Sequence, residues 1–179
     1  VALIGSCAKK EESTTTDTTS ALVAASTASG SITVGSETLS GTYATSCITA
    51  AVSELVSSNS LPSDTKALGW IFVVRGNDNV TEEINYYTDS TCTTKGFTQK
   101  KMYDNVTVGS ASGSNYQVEL IYKQLKILVT TTVSETWVEG IYGGSHDFVV
   151  DTEKIFTVSA SSQQKYNLWN VSATTFSQG

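Results

Sequence analysis

The chain is poor in proline, methionine and histidine, with one of each (Pro62, Met102 and His146) in 179 residues. A disordered linker protein would carry more proline than this, so most of the chain should fold. A single histidine excludes a histidine-rich zinc site. Charge is also scarce: 16% of residues are charged, and 17 acidic against 11 basic side chains give a formal net charge of −6. Nucleic-acid binding needs a basic stripe that neutralises phosphates, so no nucleic-acid partner is expected. The same balance speaks against electrostatic adhesion to anionic lipid. There is no Gly-x-Gly-x-x-Gly and no Walker loop, and no cofactor is expected. Ser and Thr are abundant instead, and a surface of small hydroxyl residues with little charge is common in extracellular β proteins.

The first residues read Val-Ala-Leu-Ile-Gly-Ser-Cys-Ala-Lys-Lys-Glu-Glu. An apolar run, two small residues, a cysteine and then abrupt charge have the form of a secretory signal's end. Ile4-Gly5-Ser6-Cys7 resembles the lipobox of bacterial lipoproteins, with Ile4 where Leu is usual. The resemblance implies that 1–6 are the remnant of a signal peptide. It also implies that Cys7 is the lipidated residue, carrying three palmitate-like acyl chains that tether the protein stably. Ala8 rather than Asp after the cysteine implies, by analogy with enterobacterial lipoproteins, the outer membrane. Three cysteines leave one over from pairing. With Cys7 acylated, Cys47 and Cys92 remain for a disulfide in an oxidising compartment. From Ser13 to Gly30 the chain is nearly all Ser, Thr and Ala, which cannot bury a core. Residues 7–36 are therefore expected to be a lipidated spacer and 37–179 a single domain.

Beyond Glu37 the period is two more often than 3.6. Strands are predicted at Leu39–Ser46, Leu68–Val74, Val80–Thr88, Phe97–Tyr103, Val106–Val108, Tyr116–Tyr122 and Leu125–Val133. Trp137–Tyr142, Phe148–Val150, Ile155–Val158 and Tyr166–Val171 complete the set. Gly76-Asn77-Asp78-Asn79 is turn material, making the second and third strands a hairpin. Ile48, Val52, Leu55 and Val56 recur at helical spacing and give the single short helix, ended by Asn59 to Asp64 with Pro62. Eight to ten short strands imply a mainly β fold, an antiparallel barrel or a sandwich. Gly41-Thr42-Tyr43 is similar to the Gly-x-Trp of lipocalins, with Tyr in place of Trp. Together with Tyr87-Thr88-Asp89-Ser90-Thr91-Cys92, it resembles calycin-like bacterial lipoproteins in which such segments supply two cysteines. That resemblance implies a small barrel and transfers no ligand.

Motifs that carry chemistry are few. Gly143-Gly144-Ser145-His146-Asp147 names all three members of a serine triad. Neighbours on a strand point to opposite faces, however, and a nucleophile elbow needs Gly where Asp147 stands. The segment reads as a polar turn. Paired carboxylates could hydrolyse glycosides, but Glu82 and Glu83 are adjacent and diverge, so the acidic residues are expected on a solvated surface. Trp137 and Tyr142, flanking Gly140 ahead of Gly143-Gly144, are the candidate ligand-binding pair, since wide aromatic faces suit barrel mouths. The expected function is therefore non-enzymatic: a tethered cell-envelope lipoprotein, periplasmic or surface-exposed, holding a small apolar ligand in a barrel. A surface adhesin for protein or glycan is the alternative, and an envelope hydrolase using paired carboxylates is a third possibility.

Overall fold

A computed structural model describes residues 27–142, 146–160 and 163–179 and the backbone of residues 8–11. Eleven strands and two helices are found among them: β1 (Ala8–Glu11), β2 (Ile32–Val34), β3 (Glu37–Leu39), β4 (Thr42–Ala44), α1 (Val52–Ser57), β5 (Ala67–Val74) and β6 (Val80–Tyr87). The chain continues through β7 (Lys95–Ser112), β8 (Asn115–Val129), α2 (Thr132–Tyr142), β9 (Glu153–Thr157), β10 (Gln164–Val171) and β11 (Thr175–Gln178).

The sheet runs in the order β10-β11-β1-β4-β5-β6-β7-β8-β9, and every pairing within it is antiparallel. β8 also pairs with β10, from Gln164↔Ile121 to Trp169↔Tyr116, so the sheet turns back on itself as a nearly closed barrel. The barrel alternative of the expected fold is therefore the one realised. β7 and β8 are long because two predicted strand pairs have each merged. β7 curls through register shifts at Met102/Tyr103, Asp104/Thr107 and Val108/Ala111, since bulges bend a strand and increase its twist. β8 can thus give its first half to β10 and its second half to β9.

The predicted hairpin is present as β5–β6, in register from Val74↔Val80 to Ala67↔Tyr87. Cys47 and Cys92 are bonded, with Cα atoms 5.8 Å apart, tying the segment after β4 to the β6–β7 loop. α1 lies within the helix expected from the apolar spacing. It stops where Asn59 takes a left-handed φ of 55°, three residues before Pro62.

Several local expectations are overturned. α2 replaces the strand predicted at Trp137–Tyr142 and the end of the one before it. The Thr131 hydroxyl accepts from the Ser134 amide at 3.1 Å, which satisfies an exposed N–H of the first turn. Ser134 and Val138, four residues apart, are the buried positions of the helix. The Thr-rich stretch has strand propensity, but its cap and its burial period are helical. Phe148–Val150 forms no strand, although Phe148 is buried. β11 was missed because Phe176 is its only strongly apolar residue.

Packed structure also begins ahead of the expected boundary at Glu37. Ile32, Val34 and Leu39 of the β2–β3 hairpin are each at most 3% exposed and belong to the barrel's core. Gly35 turns this hairpin with φ +63°, and a Cβ there would run into the Tyr116 ring and hydroxyl, so only glycine fits.

The core has two parts. The first fills the barrel around Tyr43, Phe72, Trp169 and Phe176, none more than 1% exposed. Phe72 and Phe176 have ring centroids 4.4 Å apart, and Trp169 meets both edge-on. The second lies towards α2 and gathers Phe97, Ile127, Val129, Val138 and Phe148.

Candidate functional site

Successive residues of a strand point to opposite faces, and the register assigns each face. Phe72↔Glu82, Glu82↔Lys101 and Lys101↔Leu125 are paired, so all four share a face with the core residues Val74, Val80 and Phe97. Along β6 the inward residues are Val80, Glu82, Ile84 and Tyr86. A carboxylate therefore occupies the inner face between the two apolar clusters.

Glu82 is 12% exposed at its side chain, and its oxygens are met by donors from three other strands. Trp70 Nε1 of β5 donates to Oε1 at 2.8 Å, as does Gln178 Nε2 of β11. Tyr103 of β7 donates its hydroxyl to Oε2 at 3.3 Å, and Lys101 Nζ lies 3.5 Å from the same oxygen. Asn167 Nδ2 of β10 donates to Gln178 Oε1 at 3.1 Å, extending the chain of bonds across the barrel wall. Burial costs a carboxylate several kcal/mol unless it is hydrogen-bonded, and here both oxygens are matched. The charge acts in turn on its neighbours. Burial, and then Glu82 itself, push the Tyr103 phenol far above its ordinary value of 10.0. Burial raises Tyr86 strongly in the same direction, and it pushes Tyr122 up to about 12.

A pocket of about 270 Å³ opens on this network. Phe72 and Leu120 give it an apolar floor. Glu82, Tyr103, Lys101 and Gln178 form its polar wall, and Lys165, Tyr166 and Asn167 of β10 complete it. None of these residues belongs to the expected site. One signal for Glu82 was present: an acid at the inward position of a strand whose other inward residues are apolar. The remaining partners come from β5, β7, β10 and β11, and local pattern does not bring them together.

Trp137 and Tyr142 are separated by five helical positions, so they leave α2 in directions about 140° apart. Trp137 Nε1 donates to the Asn59 carbonyl at 3.2 Å, and the ring lines a surface groove of about 620 Å³ with Val133, Thr136 and Ile141. Tyr142 packs on the second core cluster with its ring stacked on Phe156 at 5.6 Å. Its hydroxyl accepts from Gln99 Nε2 at 3.3 Å. Trp137 packs on the same cluster, with its ring 6.0 Å from Phe97, but Tyr142 does not line the Trp137 groove.

The triad-like segment falls partly outside the described residues, at 143–145; His146 meets Phe156 edge-on at 5.0 Å. Glu82 and Glu83 diverge as expected, but neither is solvated, which corrects the expected surface position. Glu83 is 8% exposed on the outer face of β6, where Lys100 Nζ sits 3.1 Å from Oε2 and Asn85 Nδ2 donates to Oε1 at 2.9 Å. Among the described residues no group of three His, Cys, Asp or Glu could hold a metal ion. Cys7 and the spacer up to residue 26 lie outside the described side chains.

A third feature is on the outside of β8 and β10. Tyr166, 72% exposed, and Leu168 border a groove of about 580 Å³ with Gln117, Glu119 and Gly109.

Fold and site together define a small antiparallel β-barrel with a filled aromatic interior and a hydrogen-bonded carboxylate at a pocket in its wall. No protein-family profile and no curated protein matches the chain.

Proposed function

We propose that this chain is a membrane-tethered cell-envelope lipoprotein whose barrel binds a small, hydrogen-bonding ligand at the Glu82 pocket. One observation carries the binding half: a nearly buried carboxylate, oriented by donors from β5, β7 and β11, faces a pocket large enough for a small molecule. Pockets with an apolar floor and a few placed polar groups are the usual form of ligand sites. An apolar ligand deep in the barrel is disfavoured, because Tyr43, Phe72, Trp169 and Phe176 already fill that volume. The tether rests on the lipobox-like Ile4-Gly5-Ser6-Cys7, and the Cys47–Cys92 bond is in keeping with an oxidising compartment.

Two experiments test the two halves. In cells making the precursor, Cys7→Ser should abolish incorporation of an alkynyl palmitate and move the protein from the membrane to the soluble fraction. Unchanged labelling would remove the tether. Native mass spectrometry of protein drawn from its own cells should show a small-molecule adduct that Glu82→Ala loses. An adduct retained by that variant would remove the pocket from the proposal.

The alternative, a surface adhesin, has the outer groove in its favour, because Tyr166 presents a wide aromatic face to solvent beside Leu168. Leu168→Ala would then weaken surface attachment and leave any pocket adduct intact, since Leu168 lines the outer groove and not the Glu82 pocket.

A further inference from the structure

We infer that the Glu82 pocket selects a small monoanion, a carboxylate-bearing molecule with a compact apolar body. This inference rests on the pocket being a ligand site and deepens that proposal. It follows from counting which polar groups the pocket still offers. Glu82 is an acceptor-only group, and its oxygens already receive Trp70, Gln178, Tyr103 and Lys101. Gln178 donates to Glu82 and accepts from Asn167. The Asn167 side-chain oxygen Oδ1 accepts from the Leu168 backbone amide at 2.7 Å. These acceptors are engaged within the protein.

What remains is a surplus of donors. Lys101 carries three donor protons on one ammonium and, among the described residues, makes only the 3.5 Å ion pair with Glu82. Lys165 lines the pocket and has no hydrogen bond or ion pair among the described residues. It is paired with Leu120 across β10–β8, so it stands on the inward side of β10 with Asn167 and Trp169. Glu119, the nearest acid along β8, is on the opposite face, where Gln164 Nε2 donates to it. Two cations against one anion leave the pocket with one net positive charge, on a chain whose net charge is −6. A cation or a neutral donor entering here would meet ammonium groups and find no free carboxylate oxygen. An anion would bridge Lys101 and Lys165 and lay its apolar part on Phe72 and Leu120. Glu82 is then a positioning residue: it holds Lys101, Tyr103 and Gln178 in place and does not itself bind the ligand.

The test compares three probes of one shape, benzoate, benzamide and benzylamine, by amide chemical-shift titration of the mature domain. Benzoate should shift the amides of Lys101, Lys165 and Asn167 saturably, and benzamide should bind about five- to tenfold more weakly, the loss of one charge-assisted contact at a partly exposed site. Lys165→Gln, on an exposed side chain that supports no other group, should weaken benzoate by a similar factor and benzamide by distinctly less. Equal binding of benzamide or benzylamine at these amides would overturn the choice of an anion while leaving the pocket a ligand site. Benzoate affinity unaltered by Lys165→Gln would overturn it too. Silence of the pocket amides towards all three probes would overturn both this inference and the proposed pocket.

Discussion

The hydrogen-bond network around Glu82 invites a quantitative test, because its four donors differ in distance and burial. Trp70 Nε1 meets the carboxylate at 2.8 Å, whereas Lys101 Nζ is 3.5 Å away with 29% of its side chain exposed. A buried hydrogen bond to a charged group contributes about 1.5–3 kcal/mol, and a partly exposed ion pair about 0.5–1 kcal/mol. The neutral indole should therefore couple to Glu82 more strongly than the cation does. Glu82→Ala leaves the indole and the Gln178 amide without an acceptor. Some water entry from the pocket offsets the loss, and the net destabilisation should be about 3–4 kcal/mol. For a domain of this size that lowers Tm by about 10 °C. Urea unfolding followed by tryptophan fluorescence gives the free energies, with the disulfide intact in every variant. Double-mutant cycles then separate the pairs. Trp70→Phe keeps an aromatic ring to stack on Phe176 and removes only the donor end. The Trp70–Glu82 cycle should return about 1.5–2 kcal/mol, and the Lys101–Glu82 cycle with Lys101→Met under about 1 kcal/mol. A larger coupling for Lys101, or a loss below about 1 kcal/mol in Glu82→Ala, would refute the assignment of this carboxylate as a buried, indole-held group.

Two further outcomes concern the fold as a whole. Reducing the Cys47–Cys92 bond, or replacing both cysteines by serine, should cost about 4 kcal/mol, since the bond closes a loop with a sequence separation of 45; urea midpoints with and without reductant measure it, and coincident midpoints would contradict it. The fold should also fail in base. Tyr86, Tyr103 and Tyr122 all have phenols raised above 10.0, so the folded state favours their protonated forms. That stability is complete below pH 10.0 and drains away as pH climbs through the folded-state values, about 12 for Tyr122. Phenolate absorbance of these three should therefore rise together with loss of near-ultraviolet circular dichroism, and ionisation near pH 10.0 with the dichroism intact would contradict it.

The β5–β6 hairpin was legible because a buried apolar run, a Gly-Asn-Asp-Asn turn and an alternating strand are all local signals. The cysteine pair was legible from arithmetic once Cys7 had been set apart. α2 was misread because Thr, Val and Trp are strand formers by propensity. The Thr131 cap and the burial of Ser134 and Val138 prevail over that propensity only when a helix has a core to pack against. β2 fell within the expected spacer because a three-residue strand beside a Ser/Thr tract looks like more of the same. Its Ile32 and Val34 acquire their role by entering the barrel.

By itself the sequence determined the β class, the alternation of faces along β6 and β8, and the turn that sets the β5–β6 register. Each of these depends on residues only a few positions apart. Tertiary structure alone decided that the sheet closes through β8 and β10, and that aromatic rings from β4, β5, β10 and β11 fill its interior. It also decided that Glu82 meets Trp70, Lys101, Tyr103 and Gln178. Gln178 lies 96 residues away in sequence, and a contact of that separation is set by sheet closure, which no local period encodes.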